Sequence, residues 1–165
     1  MKPDTKKMTT LALLVSVAMI LSYIESIVPA FVAVPGVKLG LSNIATVFAI
    51  YTIGWQSAIA VSAIRVLLSA LLFGNIPSLI FSLAGAILAL ASMIPLSKIN
   101  LFTSIGVSVV GAIMHNVGQV IAAAIVMETL GVTYYLIPLL LSGTVAGVVI
   151  GIISGILVER IEKYL

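Results

Sequence analysis

Six stretches of almost uninterrupted apolar residues divide this chain, and each approaches the length that a helix needs to cross a membrane. They fall at about residues 9–28, 40–55, 57–73, 78–95, 101–127 and 135–158. A hydrocarbon layer of roughly 30 Å takes about 20 apolar residues in a helix, whereas an isolated strand would leave its backbone polar groups without partners there. With 62% hydrophobic and 8% charged residues, the chain is too apolar for a water-soluble domain. The sequence therefore predicts an all-α integral membrane protein, a six-transmembrane-helix bundle that forms one domain over residues 1–165.

Turn-forming residues separate the apolar stretches, and basic residues indicate the orientation. The breaks fall at Pro29–Gly36, Gly54–Gln56, Gly74–Pro77, Pro95–Asn100 and Glu128–Tyr134. Of the eight Lys and Arg residues, all but Arg65 and Lys38 lie at the two ends or in the break before residue 101. Because Lys and Arg accumulate in cytoplasmic segments, we predict a multi-pass protein of the plasma membrane with both termini in the cytoplasm. The first stretch lacks a convincing cleavage site, so we interpret it as an uncleaved span rather than a signal peptide.

Several classes of function lack the residues that they require. The chain has no cysteine, which removes disulfides, thiolate metal sites and cysteine nucleophiles. One histidine with scattered carboxylates does not have the spacing of a metal site, and no phosphate loop of the GxxxxGK[ST] type occurs. The basic residues form no stripe that could follow nucleic acid. We therefore expect a non-catalytic component with no cofactor, no metal and no nucleic-acid partner.

The few polar residues within the spans are the best candidates for a ligand site, because ionisable groups in a membrane normally face an interior cavity or each other. Two helix faces carry them. Ser62, Arg65 and Ser69 share one face of the third span, and Ser108, Gly111, His115, Gln119 and Ala122 share one face of the fifth. The predicted ligand-binding residues are Glu25, Lys38, Asn43, Arg65, His115, Asn116 and Gln119.

These side chains converge on the outer half of the predicted bundle, while the inner half has almost no buried polarity. A channel would need a polar lining through both leaflets, so the pattern favours a pocket that is open to the outside. Its charges are mixed, with Lys38, Arg65 and His115 against Glu25 and Glu128. They suit a small molecule with an anionic or zwitterionic group.

The same polar residues could also have purely structural roles. Glu25 and Arg65 could simply neutralise one another, because a paired charge in lipid needs no ligand. His115, Asn116 and Gln119 could be hydrogen-bond links between helices. The sixth span carries Gly143, Gly147, Gly151 and Gly155, spaced by four residues. These glycines leave one edge of the helix without side chains, a bare edge that the backbone of another helix can approach closely. That helix belongs either to this bundle or to a partner subunit.

Two segments of the sequence resemble a known family. Residues 35–43, Pro-Gly-Val-Lys-Leu-Gly-Leu-Ser-Asn, follow residues 21–26, Leu-Ser-Tyr-Ile-Glu-Ser, and Arg65 is followed by Leu-Phe-Gly at residues 72–74. This pattern resembles the bacterial membrane family labelled heptaprenyl diphosphate synthase component I, or Gx transporter, over essentially the whole chain. The first label implies prenyl-chain elongation, which needs Asp-rich motifs that hold magnesium. The only aspartate here is Asp4, so the chain lacks the catalytic residues of such an enzyme.

The transporter label implies a fold and a set of partners. The six short spans, the long first outer loop and the outward polarity resemble the substrate-binding S component of energy-coupling factor (ECF) transporters. In that class small residues spaced by four in the first span dock on a coupling subunit, and the nearest match here is Ala12 with Ser16. The resemblance also implies that residues 29–39 fold over the ligand as a gate, to which Pro29, Pro35 and Gly36 are suited.

We therefore expect a substrate-binding subunit of a small-molecule uptake transporter, energised by a separate coupling subunit and ATPases. The alternative is a non-catalytic membrane accessory subunit for isoprenoid, quinone or electron-transfer metabolism. A capped outer pocket would favour the first, and an apolar opening between helices would favour the second.

Overall fold

The chain is a bundle of α-helices in a computed structural model that describes residues 5–27, 40–99 and 101–162. These residues form six α-helices and one short 3-10 helix. In chain order the helices are α1 (Thr5–Ile27), α2 (Asn43–Thr52), α3 (Trp55–Phe73), α4 (Ile76–Leu96), α5 (Ser104–Val126), the 3-10 helix (Leu130–Tyr135) and α6 (Leu136–Glu162). The predicted all-α membrane architecture is confirmed.

Five helices are long and apolar enough to cross a membrane, and their starts follow local chemistry. The Asn75 side chain accepts a hydrogen bond of 2.9 Å from the backbone N–H of Ser78 at the start of α4. The Thr103 side chain accepts one of 3.3 Å from Gly106 at the start of α5. Side-chain oxygens at these positions satisfy N–H groups that have no partner within the helix. Helices α3 to α6 begin within one to three residues of the boundaries that the apolar stretches predict, and α1 begins four residues before its predicted start.

Helix α2 is much shorter than the predicted second span of residues 40–55. It has 10 residues, and a helix of that length rises only about 15 Å. Gly40 has a φ of +86°, and Gly54 a φ of +92°. Because both glycines adopt the left-handed region that other residues avoid, the chain turns before Asn43 and again before Trp55. Ser42, directly before α2, bonds to Arg65 near the middle of α3, so α2 begins within the bundle.

Helix α5 lies at the centre of one half of the bundle, packed against α4 on one side and α6 on the other. The glycines of α6 make the second contact possible. A Cβ on Gly147 would lie 2.7 Å from the Cα of Val109, and one on Gly151 would lie 2.5 Å from the Cα of Ile105. Since the neighbouring atoms are α5 backbone, the bare edge of α6 is used for packing within the bundle, which is the first of its two predicted uses.

The outward faces of the helices carry large apolar side chains. Leu71 on α3 and Ile125 on α5, for example, are 81% and 71% exposed. In water such a surface would be unstable, whereas in lipid it costs nothing and the few polar groups turn inward. The buried polar residues are therefore the part of the fold that needs an explanation.

Candidate ligand-binding site

Arg65 is a charged residue that is buried inside the bundle. It lies near the middle of α3 and is only 3% exposed. Its Nη1 atom donates a hydrogen bond of 2.5 Å to the Oγ of Ser42, just before α2. Its Nε and Nη2 atoms are buried without a hydrogen-bond partner. A buried donor that lacks a partner costs about 1–3 kcal/mol, and more when it is charged, so this guanidinium is not satisfied by the described protein.

Glu25 lies in the last turns of α1, buried at 8% exposure. Its Oε1 atom accepts a hydrogen bond from the backbone N–H of Gly40. Its charge also acts on Arg65. The segment Gly40–Ser42 thus contacts both charged residues, because its first residue bonds to Glu25 and its last to Arg65. Glu25 and Arg65 therefore lie in one cluster, although the described hydrogen bond of Arg65 goes to Ser42.

Asn43 follows this segment as the first residue of α2, and it is 6% exposed. A Cβ on Gly40 would lie 2.9 Å from the Nδ2 of Asn43. Only glycine fits at position 40, because it provides both the positive φ and the space for the amide. The local sequence Gly-Leu-Ser-Asn therefore places Ser42 and Asn43 beside Arg65 and Glu25.

His115 and Gln119 lie one turn apart on α5, and both are buried. A hydrogen bond of 2.8 Å joins their Nε2 atoms. The Oε1 of Gln119, which is 0% exposed, has no hydrogen-bond partner. The His115 ring packs on Gly85 of α4, where a Cβ would lie 2.9 Å from Nδ1. The structure therefore places these two residues at the interface between α4 and α5.

Asn116 faces the other side of α5. Its Nδ2 donates a hydrogen bond of 2.6 Å to the backbone carbonyl of Leu139 on α6, and the same amide packs on Gly143. Asn116 is therefore one of the hydrogen-bond links between helices that the sequence left as an alternative. Its role as a ligand-binding residue stays a prediction.

Three buried hydroxyl groups were missed as candidates by the sequence analysis. Ser42 bonds directly to Arg65. Ser22 and Thr46 are each 1% exposed, and their hydroxyls have no hydrogen-bond partner. Ser22 lies one turn from Glu25 on α1, and Thr46 one turn from Ser42 and Asn43 on α2. The helical spacing from Glu25 and from Asn43 was the signal that could have identified them.

The remaining predicted residues lie elsewhere. Lys38 and the predicted gate at residues 29–39 lie outside the described residues. Ala12 and Ser16 are exposed on α1, and the Ser16 hydroxyl donates 3.0 Å to the Ala12 carbonyl. Within the described part of the chain, no group of three or more His, Asp or Glu residues could hold a metal ion.

An apolar groove lies between α1, α2 and α6 and extends to the end of the bundle where α1 begins and α6 ends. Its volume is about 670 Å³. Lys6 and Lys7 lie at one end, and apolar side chains of α1, α2 and α6 form the rest; they include Leu14, Phe48 and Leu157. Apart from the lysines, its walls offer an occupant few polar partners.

Comparisons with known proteins agree with this architecture. A family model described as heptaprenyl diphosphate synthase component I matches residues 14–157. Among solved structures, the chain is similar to one described as the S component of a bacterial ECF transporter, with a TM-score of 0.70 and 20% sequence identity over 98% of both chains. No curated protein sequence matches the chain significantly. The S-component-like fold predicted from the sequence is therefore confirmed.

Proposed function

The chain belongs to the heptaprenyl diphosphate synthase component I family, and from this premise, its fold and its buried polar cluster we propose that it is the substrate-binding subunit of a small-molecule uptake transporter. It is non-catalytic in this proposal. A separate coupling subunit and ATPases of the ECF type supply the energy, and Ala12 and Ser16 on the exposed face of α1 dock on the coupling subunit.

One observation carries the proposal, namely the buried guanidinium of Arg65, two of whose nitrogen atoms have no hydrogen-bond partner among the described residues. A fully paired charge would need no ligand. Here the described protein leaves one edge of the guanidinium unsatisfied in a low-dielectric interior, where an added acceptor interacts strongly. An anionic or zwitterionic ligand would provide that acceptor.

The other proposed ligand contacts follow from their positions around Arg65. Glu25 and Asn43 flank the guanidinium through the segment Gly40–Asn43, and Lys38 precedes this segment in the chain. Gln119 has a buried carbonyl oxygen without a partner, which suits an N–H or O–H donor of the ligand, and His115 orients the Gln119 amide. Arg65, at the centre of the proposed site, lies near the middle of α3 and is buried.

The test is native mass spectrometry of protein that has been purified gently from its own cells. We expect a small polar molecule bound to the chain, and a fraction of the chain in complex with a membrane subunit and two ATPases. Bilayer lipids alone, with no partner subunit, would contradict the proposal.

A second candidate function is a membrane accessory subunit for isoprenoid or quinone metabolism, and the apolar groove favours it. The groove opens between α1, α2 and α6, and basic residues lie at one end, which suits a long apolar molecule with an anionic head. In the same mass spectra, a retained prenyl or quinone lipid would support this candidate. Its loss on replacing Ala45, which lines the groove, with phenylalanine would assign it to the groove.

We also propose that both termini lie in the cytoplasm, and single cysteines test this orientation because the chain has none of its own. Cysteine at Tyr134, which is 82% exposed before α6, should react with a membrane-impermeant maleimide on intact cells. Cysteine at Ile99, which is 48% exposed after α4, should react only in permeabilised cells. Neither change removes a basic residue, so the charge asymmetry is preserved. The reverse pattern of labelling would invert the proposed topology.

A further inference from the structure

We infer that the ligand of the Arg65 site is a monocarboxylate, held side-on by the Nε and Nη2 atoms of Arg65; this rests on the proposed function. The two atoms without partners lie on the same edge of the planar guanidinium. Their two N–H bonds are parallel, and the two oxygens of a carboxylate match them in spacing and direction. Two parallel donors therefore select a planar pair of acceptors.

Ser42 determines which edge remains for the ligand. Its hydroxyl accepts from Nη1, so the end of the guanidinium formed by Nη1 and Nη2 is partly occupied. Arg65 itself is held in place by this bond and by its burial at 3% exposure. Because the donor pair is already oriented, binding a carboxylate costs little side-chain entropy.

Charge in the cluster favours a monoanion over a dianion such as a phosphate monoester. The Glu25 carboxylate acts on Arg65 and is fixed by its bond to the Gly40 N–H. Among the described residues of the cluster, the one positive charge, Arg65, therefore already has one negative charge nearby. A second negative charge on the ligand would be repelled by Glu25, and burying it would add a large desolvation cost.

The hydroxyls of Ser22 and Thr46 indicate that the body of the acid is polar. Both are buried and lack hydrogen-bond partners, and each lies one helical turn from a residue of the cluster. A hydroxyl both donates and accepts. A small acid with hydroxyl, carbonyl or amine groups would satisfy them, whereas a fatty acid would not.

The experiment identifies the molecule that the purified protein releases on denaturation. The released material from wild-type protein and from the Arg65→Met variant is compared by mass spectrometry, before and after methylation with trimethylsilyldiazomethane. We expect one polar compound that is present with wild type and absent with the variant, and that gains a single methylene mass. A fatty acid released equally by wild type and by the variant is background. If such a fatty acid were the sole acid released, the inference would be overturned.

A second readout places the carboxylate on Arg65. The chain has only two arginines, Arg65 and Arg160, so 15N-arginine labelling gives few side-chain signals, and Arg160→Lys assigns them. Removing the ligand should shift the Nε and Nη signals of Arg65 and leave those of Arg160 unchanged.

The possible failures are distinct. A released phosphate ester or amine that methylation does not change in this way would overturn the carboxylate and leave the capture function standing. A carboxylate whose removal leaves the Arg65 signals unmoved would overturn the side-on contact. Release of bilayer lipid alone would overturn the proposed function itself.

Discussion

Replacing Arg65 with methionine should abolish ligand retention while the bundle remains folded. Methionine has a similar length and no charge, so an anionic ligand would be left buried without its partner. Breaking a buried charge pair in this way costs about 3–5 kcal/mol, and each 1.4 kcal/mol is about a tenfold change in affinity. We expect a loss of more than about 100-fold, measured as released ligand per mole of purified protein.

Arg160→Met is the matched control, because Arg160 is exposed in the last turns of α6. This variant should retain the ligand at the wild-type level. Circular dichroism should show the same helix content for both variants. Equal retention by wild type and Arg65→Met would remove Arg65 from the site.

The same variant decides whether Glu25 and Arg65 serve only to neutralise each other. In that case Arg65→Met should destabilise the bundle, and adding Glu25→Gln should restore its stability. We expect only a partial rescue, because the Glu25 charge acts on Arg65 while the hydrogen bond described for Arg65 goes to Ser42. A large rescue in the double variant would favour the purely structural role.

Gly151→Ala should lower the stability of the bundle by about 1–3 kcal/mol, the usual range for overpacking. The added Cβ would lie 2.5 Å from the Cα of Ile105 and 3.1 Å from its backbone nitrogen. Backbone atoms of a helix cannot rotate away as a side chain can, so α5 and α6 must move apart. Thermal unfolding in detergent, followed by the helical circular dichroism signal, measures the effect.

Gly106→Ala is the matched control, since it makes the same substitution in α5 at a site with room. The nearest neighbour of a Cβ there is the Cδ1 of Phe102 at 3.4 Å. Alanine in a helix is favoured over glycine by about 0.5–1 kcal/mol, so this variant should be as stable as wild type or slightly more so. If Gly151→Ala were equally stable, α6 would not pack on α5 through its glycines.

The apolar stretches predicted most of the fold because every residue of a membrane-spanning helix must be compatible with lipid or with the helix core. The length of each apolar stretch therefore gives the length of the helix. Five helices follow the predicted spans closely. The second does not, because Gly40 and Gly54 on either side of it adopt positive φ angles, which a hydropathy pattern does not reveal. The ten residues of α2 are as apolar as those of a full span, so composition alone could not reveal their shorter helix.

The sequence identified several residues of the candidate site, but it did not identify the contacts that these residues make. Glu25, Asn43 and Arg65 were identified because charges and amides are scarce in lipid, and they lie in one cluster. Asn116 shares the polar character of its neighbours on α5 but faces α6, where it bonds to the Leu139 carbonyl. Neighbouring positions of one helix point in different directions, so a partner can be assigned only when the helices are placed beside each other.

The sequence by itself determined that this chain is a membrane-embedded helical bundle with few polar residues inside its spans. These properties follow from the solvent, because lipid rejects charge and unpaired backbone wherever they occur. Only the tertiary structure decided that Ser42 occupies one end of the Arg65 guanidinium, while no residue in the described ranges bonds to its Nε and Nη2 edge. That outcome depends on the depth at which α2 begins beside α3, which is a matter of packing and not of composition.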